Sequence, residues 1–243
     1  PRAVELAWGL NQPGTRGPKK GLSLEQILDT AIELADAEGV TALSMGRVAK
    51  ALGFTTMSLY RYVTGREDIL EAVVSHLLEG LTDKLDEQLC GSWQGYLQSL
   101  AHTVRKVSLR HPHAFPLVAT RHPAAPWLRP PLRSIEVVEH FLRTLGDFGF
   151  TDEQRVDAYR SFSSFLLGHL LLECAVQGAE TSPVEVPLDE GNAALGSADA
   201  NLTLPPDSEV ERLRSQLSED RGEEEFEVAL ETLLDRIELQ VSQ

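Results

Sequence analysis

Between Ser44 and Arg66 the chain carries four basic side chains, Arg47, Lys50, Arg61 and Arg66, and no carboxylate. In a protein of 243 residues, with Lys+Arg 22 against Asp+Glu 37 and a formal net charge of -15, that window stands out. Interleaved with the cations are Ser44, Thr55, Thr56, Met57, Ser58, Tyr60 and Tyr62. Cations draw phosphate oxygens, hydroxyls and phenols bond phosphates or base edges, and methyl-bearing side chains meet the thymine methyl. The combination reads as a local footprint for a polyanion on an acidic chain. The competing reading is a solvated helix face, with Tyr60 capping the core, Met57 packing on the next helix and Thr56 and Ser58 in water.

The remaining charge points the same way. Residues 1–80 hold 8 basic and 10 acidic side chains, whereas residues 181–243 hold 4 and 16. A protein that coats nucleic acid over its whole surface is therefore excluded, but a small binding face is not. Catalytic chemistry finds little support. Neither GxSxG nor GxGxxG occurs, and no Glu-x-x-His arrangement has the partners that a di-iron bundle needs. Cys90 and Cys174 show no CxxC spacing, so neither a disulfide scaffold nor a structural zinc site is expected. No enzyme, cofactor or resident metal is expected. The strongest apolar run, FLLGHLLLECAV, is interrupted by His169 and Glu173 and falls short of the roughly 20 residues that span a bilayer. With no signal-peptide pattern at its start, the chain is expected to be a cytoplasmic protein without a membrane partner.

The elements that must position these residues read as helices throughout. Residues 1–22 are broken by Pro13-Gly14, Gly17-Pro18 and Gly21 and suggest a flexible arm bearing Arg16, Lys19 and Lys20. Ser23 with Gln26 forms a capping box for a helix whose stripe is Ile27, Ala31, Leu34 and Ala35, stopped at Gly39. SMGRVAKAL, a turn at Gly53 and TTMSLYRYV then give a helix-turn-helix, in which Val48, Ala49 and Leu52 brace the second helix of the pair. REDILEAVVSHLLEGLTDKLDEQL predicts one long amphipathic helix. Further helices are expected over Trp93–Leu109, Leu132–Phe148, Asp152–Gly178, a short piece in 208–220, and 224–240. The Pro- and Gly-punctuated acidic stretch 179–207 is expected to be a mobile loop. The fold class is all-α: a helix-turn-helix domain at 23–70 and a helical domain at 71–243.

The stretch ILDTAIELADAEGVTALSMGRVAKALGFTTMSLYRYVTGREDILEAVV resembles the DNA-binding domain of the tetracycline-repressor (TetR) family. SWQGYLQSLAHTVR, HPHAFPLVATRHP, FLRTLGDFGFTDEQRVDAYRSFSSFLLGHLLLE and FEVALETLLDRIE are similar in order and spacing to that family's regulatory domain. The resemblance covers roughly residues 23–178 and 224–240. It implies a homodimeric, ligand-responsive transcriptional regulator, usually a repressor, that binds palindromic double-stranded DNA. The alternatives are a helical protein–protein adaptor and a transcription-activating module. On matching positions the resemblance places Thr55, Thr56, Met57, Ser58, Tyr60 and Tyr62 toward DNA. Ser44, Arg47 and Arg66 are placed for phosphate, and Lys19 and Lys20 for the backbone or minor groove. Gly46 stands where the tetracycline repressor has a base-reading arginine, so the same operator is not implied.

The effector pocket departs further from the family pattern. Where the tetracycline repressor has histidines, an asparagine and a phenylalanine around its drug and magnesium, this chain has Leu81, Leu100, Val104 and Leu117, while Thr120 and Arg121 are kept and Glu173 sits one residue out of register. Leucine and valine cannot hold hydrated Mg²⁺, which demands oxygen ligands. A small, largely apolar effector is expected instead, with His102, His113, Thr120, Arg121 and His169 as candidate polar fixings and Trp127 as a candidate wall. Each histidine has the alternative of being a surface or satisfied core residue, and Trp127 that of packing under the Pro-rich turn. Dimerisation is expected to bury 152–178 and 224–240 through Phe162, Phe165, Leu166, Leu170, Leu230 and Leu233, each of which could instead belong to the intrachain core.

Overall fold

The computed structural model describes residues 22–120, 125, 127–179, 208–219 and 221–242. Lys19, Lys20, Arg121 and all but the first residue of the expected loop 179–207 lie outside the described residues. The fold is all-α. The head comprises α1 (Leu24–Glu38), α2 (Met45–Leu52) and α3 (Thr56–Leu59), followed by α4 (Arg66–Leu77). The regulatory part comprises α5 (Trp93–Arg110), α6 (Ile135–Asp147), α7 (Asp152–Val176), two single-turn helices α8 (Glu209–Arg212) and α9 (Arg214–Leu217), and α10 (Gly222–Val241).

Local chemistry sets the boundaries. The Ser23 side chain accepts from the Gln26 amide while the Gln26 side chain accepts from the Ser23 amide, closing the expected capping box. Thr151 and Gln154 repeat the device at the start of α7. Ser44 caps α2, and Gly53 ends it at φ 71, a left-handed conformation that a Cβ disfavours. The turn after Gly53 aims α3 across α2.

One expectation is corrected. The long helix predicted from Arg66 through Leu89 stops at Leu77, and Gly80 turns the chain at φ 59 before a short 3₁₀ turn, Thr82–Lys84. The apolar periodicity runs on through Leu81 and Leu85, but a glycine in this conformation costs the helix its continuity. The recognition helix is likewise shorter than TTMSLYRYV, with one α-helical turn followed by non-helical turns.

A single apolar core runs from head to regulatory part. Ile27, Ala31 and Ala35 of α1 meet Val48, Ala49 and Leu59 of the helix-turn-helix and Ile69, Val73 and Val74 of α4. The 3₁₀ turn Phe115–Ala119 packs on both α4 and α7, so Phe115 and Leu117 join the head's core to that of Phe162, Leu170 and Phe226. α5 is held close to the α4–α5 connection because Gly95 lies under Leu89: a Cβ there would stand 2.0 Å from the Leu89 carbonyl oxygen. Gly95→Ala is therefore expected to force a backbone shift costing about 1–3 kcal/mol. Thermal unfolding should show a loss of about 2–4 °C per kcal/mol; an unchanged Tm would refute the close approach.

Candidate nucleic-acid edge and effector cavity

α3 and the start of α2 present one outward edge. Met57 is 74% exposed and Tyr60 51%, while Leu59 between them is fully buried as the anchor. Ser44, Thr55, Lys50 and Arg61 are exposed, and Thr56 and Ser58 are half-buried at the rim. The Thr55 and Ser58 hydroxyls lie 3.1 Å apart and bond each other. A Cβ at Gly46 would meet nothing within 4 Å, so the edge has a gap at that position. Met57 therefore does not pack on the next helix and Tyr60 does not cap the core, while Thr56 and Ser58 are partly in water, as a solvated face would also have them.

Arg66, Arg47 and Tyr62, among the expected contact residues, reach partners in the head's own structure, as does Ser44 in capping α2. The Arg66 Nε donates to the Leu43 carbonyl at 2.9 Å and its Nη2 to the Val40 carbonyl at 3.3 Å, and Nη1 pairs with Glu67. Arg66 is thus a brace across the α1–α2 connection. Arg47 is ion-paired with Glu38, and the Tyr62 hydroxyl donates to the Leu22 carbonyl at the root of the arm. Lys50 and Arg61, left out of the expected contact set, are the cations that remain turned outward. Their place in the acid-free window was the signal that could have marked them.

The head is tied to the regulatory part by more than apolar packing. Asp36 near the end of α1 meets the His111 Nδ1 at 2.7 Å and accepts the Ala114 amide at 3.3 Å. His111 is the C-cap of α5, and Ala114 precedes the Phe115–Ala119 turn. One carboxylate therefore holds the joint between α5 and that turn.

Behind the turn lies an apolar cavity walled by Leu100 and Val104 of α5, Val118, Leu132, Phe141 of α6, and Tyr159, Phe162, Ser163 and Leu166 of α7. Leu78, at the end of α4, closes it on the side toward the head. It encloses only about 40 Å³ of free space, little more than one water molecule's share of about 30 Å³. A drug-sized ligand needs some 300–1,000 Å³, about tenfold more, so its wall must open. Tyr159 donates to the Pro130 carbonyl at 3.1 Å, and burial pushes its phenol up to about 12. Tyr159 stays protonated at physiological pH and can only offer its proton or a lone pair.

Of the expected pocket residues, Leu100 and Val104 line this cavity. Leu81 and Leu117 are buried in the adjoining core and face elsewhere. Thr120 bonds the Leu117 carbonyl at 2.7 Å and accepts from Arg133 at 3.2 Å, beside the cavity wall. Trp127 is 73% exposed and walls nothing. The other polar candidates belong to a different surface. Arg105 and Glu173 form an ion pair at 2.7 Å, each side chain under 15% exposed, with the Arg105 guanidinium stacked 4.9 Å from the Phe226 ring. His102, Phe165 and His169 pack on the same ring, and His113 lies against Gly178. His102, Phe165 and His169 thus pack between α5, α7 and α10, with the His169 Nε2 buried and without a partner, and Arg105, His169 and Glu173 also line an open groove with Leu172 and Val176. Phe141, Tyr159, Ser163 and Leu78 were missed, although their spacing on apolar helix faces was a usable signal.

Four of the six expected dimer residues belong to the intrachain core, the alternative already weighed for each. Phe162, Leu166, Leu170 and Leu230 are at most 5% exposed inside one chain and have no area left to give. Phe165 and Leu233 are half-buried against the core. The most exposed apolar groups on these helices are Leu172 at 71%, Val176 at 85%, Val228 at 58% and Leu239 at 59%, with Val156 at 40%.

A helix-turn-helix head on a helical regulatory domain is the architecture of a transcription regulator rather than an enzyme. The family profile described as bacterial regulatory proteins, tetR family, matches residues 27–73, and that of the tetracyclin repressor-like C-terminal domain matches residues 87–241. The chain belongs to the tetracycline-repressor family. It is 32% identical over 179 residues to the HTH-type transcriptional repressor DrrR1 of Streptomyces coeruleorubidus, covering 74% of this chain and 64% of that one. With the class D tetracycline repressor protein of Escherichia coli it shares 28% over 224 residues, 91% of each chain. Among solved structures, a possible TetR family transcriptional regulator from Streptomyces coelicolor A3(2) superposes with a TM-score of 0.66 at 27% identity, covering 88% of this chain and 98% of that chain. Among the described residues no helix is long and apolar enough to cross a membrane, and no cluster of His, Cys, Asp or Glu could hold a metal ion.

Asp36→Ala removes the carboxylate that joins the head to the 111–114 joint. Loss of a charge-assisted hydrogen-bonded tie of this kind is expected to cost about 1.5–3 kcal/mol. Urea unfolding should show the midpoint falling at unchanged slope, and an unshifted midpoint would rule the tie out as a stabilising contact.

Proposed function

We propose that this chain is a repressor that binds a near-palindromic DNA operator as a homodimer and is released by a small, largely apolar effector. The observation that carries the reading is the outward edge of α3. It exposes Met57, Tyr60 and Thr55, and Lys50 in the last turn of α2 and Arg61 just after α3 are exposed in the same window without a carboxylate, on a chain that is otherwise strongly acidic. Methyl, hydroxyl and phenol groups suit base edges and phosphates, and the two free cations supply the sequence-independent attraction. The acidic regulatory part is repelled from the duplex and so disfavours wrong orientations.

The effector half of the reading rests on the cavity and its place at the end of α4. Opening the wall at Leu78 and Val118 moves the elements on which the head packs. Two relatives by fold carry ligands: a repressor variant from Acinetobacter baumannii AYE holds minocycline at a TM-score of 0.62, and Streptomyces coelicolor ActR holds (S)-DNPA at 0.61. At 20% and 21% identity they support the fold and no particular ligand. The wall is mostly leucine, valine and phenylalanine, and its only side-chain oxygens, the Tyr159 and Ser163 hydroxyls, are poor ligands for Mg²⁺ compared with a carboxylate. Dimerisation would cover Leu172, Val176, Val228 and Leu239, bringing two heads to successive major grooves about 34–36 Å apart.

Selection of bound DNA from a random pool should recover a near-palindrome. Arg61→Ala and Lys50→Ala should each weaken binding to that site evenly across its sequence variants and lower the salt slope by about 2, one contact being lost from each protomer. Met57→Ala should relax preference at one base position, for a cost of about 1–3 kcal/mol there. Failure to enrich any sequence, with the protein folded, would overturn the reading.

A further inference from the structure

Arg133 stands at the start of α6 with 8% of its surface exposed, the most buried cation among the described residues. Its backbone amide donates to the Val118 carbonyl at 3.0 Å. Val118 and the preceding Leu132 are both cavity walls, so the arginine is rooted in the wall itself. Its guanidinium makes one hydrogen bond, Nη1 to the Thr120 hydroxyl at 3.2 Å, and Nε is buried with no partner. No ion pair neutralises it among the described residues. By contrast the other well-buried arginine, Arg105, has Glu173 across two nitrogens.

A guanidinium has five N–H donors, and burying one without an anion is costly. Thr120 offers a neutral oxygen and already gives its own proton to Leu117. The fork that matches a carboxylate is therefore largely unused. We propose that Arg133 is a binding residue for an anionic oxygen of the effector, so that the ligand class is an apolar, ring-sized molecule bearing one carboxylate or comparably acidic group. The apolar body would fill the opened cavity between α5, α6 and α7, with its acid at the Val118–Leu132 rim. This deepens the effector reading above and rests on it.

The test uses two isosteric probes, 2-naphthoate and 2-naphthamide, which differ in charge but hardly in shape. Titration calorimetry on the full chain at pH 7 should give naphthoate at least tenfold tighter binding than naphthamide. Arg133→Met should bring the ratio close to one, while Arg133→Lys should keep part of the preference. Equal affinities in the unmodified protein, no saturable naphthoate binding, or a ratio unchanged in folded Arg133→Met would each overturn the assignment. The unmodified protein decides the matter even if Arg133→Met fails to fold. Operator release is read separately. Naphthoate bound through Arg133 with the operator still held would leave this site standing and remove the effector reading. Release by both probes equally would do the reverse.

Discussion

The structure depends on α4 being buried from both sides. Ile69, Val73 and Val74 are at most 1% exposed and complete the core of the head, while Leu77 and Leu78, both 7% exposed, complete that of the regulatory part. A helix is close to rigid over three turns, and close-packed interiors transmit displacement rather than absorb it. A head with its own separate core could be reoriented only through a linker. Here any rearrangement behind Leu78 displaces the scaffold of the recognition edge. The Asp36 tie and the Phe115–Ala119 turn add a second, parallel connection, so α1 and α4 are constrained to move together.

Much of this was legible because local signals coincided. Ser23 with Gln26, Ser44 before α2 and Gly53 after it each bound a short element by a chemistry that tertiary contacts did not override. The charge window from Ser44 to Arg66 also survived as an exposed edge. What the sequence could not show was where long side chains end. Arg47, Arg66 and Tyr62 have the residue types for phosphate, but each reaches a nearer acceptor in the head. That choice depends on which carbonyls and carboxylates the fold brings within a few ångströms, and those partners are 9, 23 and 40 residues away.

The regulatory part was less legible for a related reason. Helical periodicity identifies an apolar stripe but not what the stripe faces. α7 is apolar around much of its circumference, so Phe162 and Leu166 could be read as an interface as easily as a cavity wall. Residue-by-residue resemblance misled at Leu81, Leu117 and Glu173. Replacing polar ligands by leucines lets those positions sink into the core and leaves Glu173 to Arg105. Tyr159 and Ser163, the polar side chains in the cavity wall, come from positions that the resemblance did not mark.

The tightness of that cavity has a consequence for sensitivity. On the proposed effector reading, a space of about 40 Å³ must widen before a ring-sized ligand enters, so binding would draw on whatever fraction of molecules is open at a given moment. Apparent affinity is then intrinsic affinity scaled by that fraction. The threshold concentration at which such a sensor responds can thus be tuned by substitutions in the second layer of packing, such as Leu117 or Leu145, that ease or hinder opening. Selection could shift the response over orders of magnitude while every ligand-touching atom stays the same.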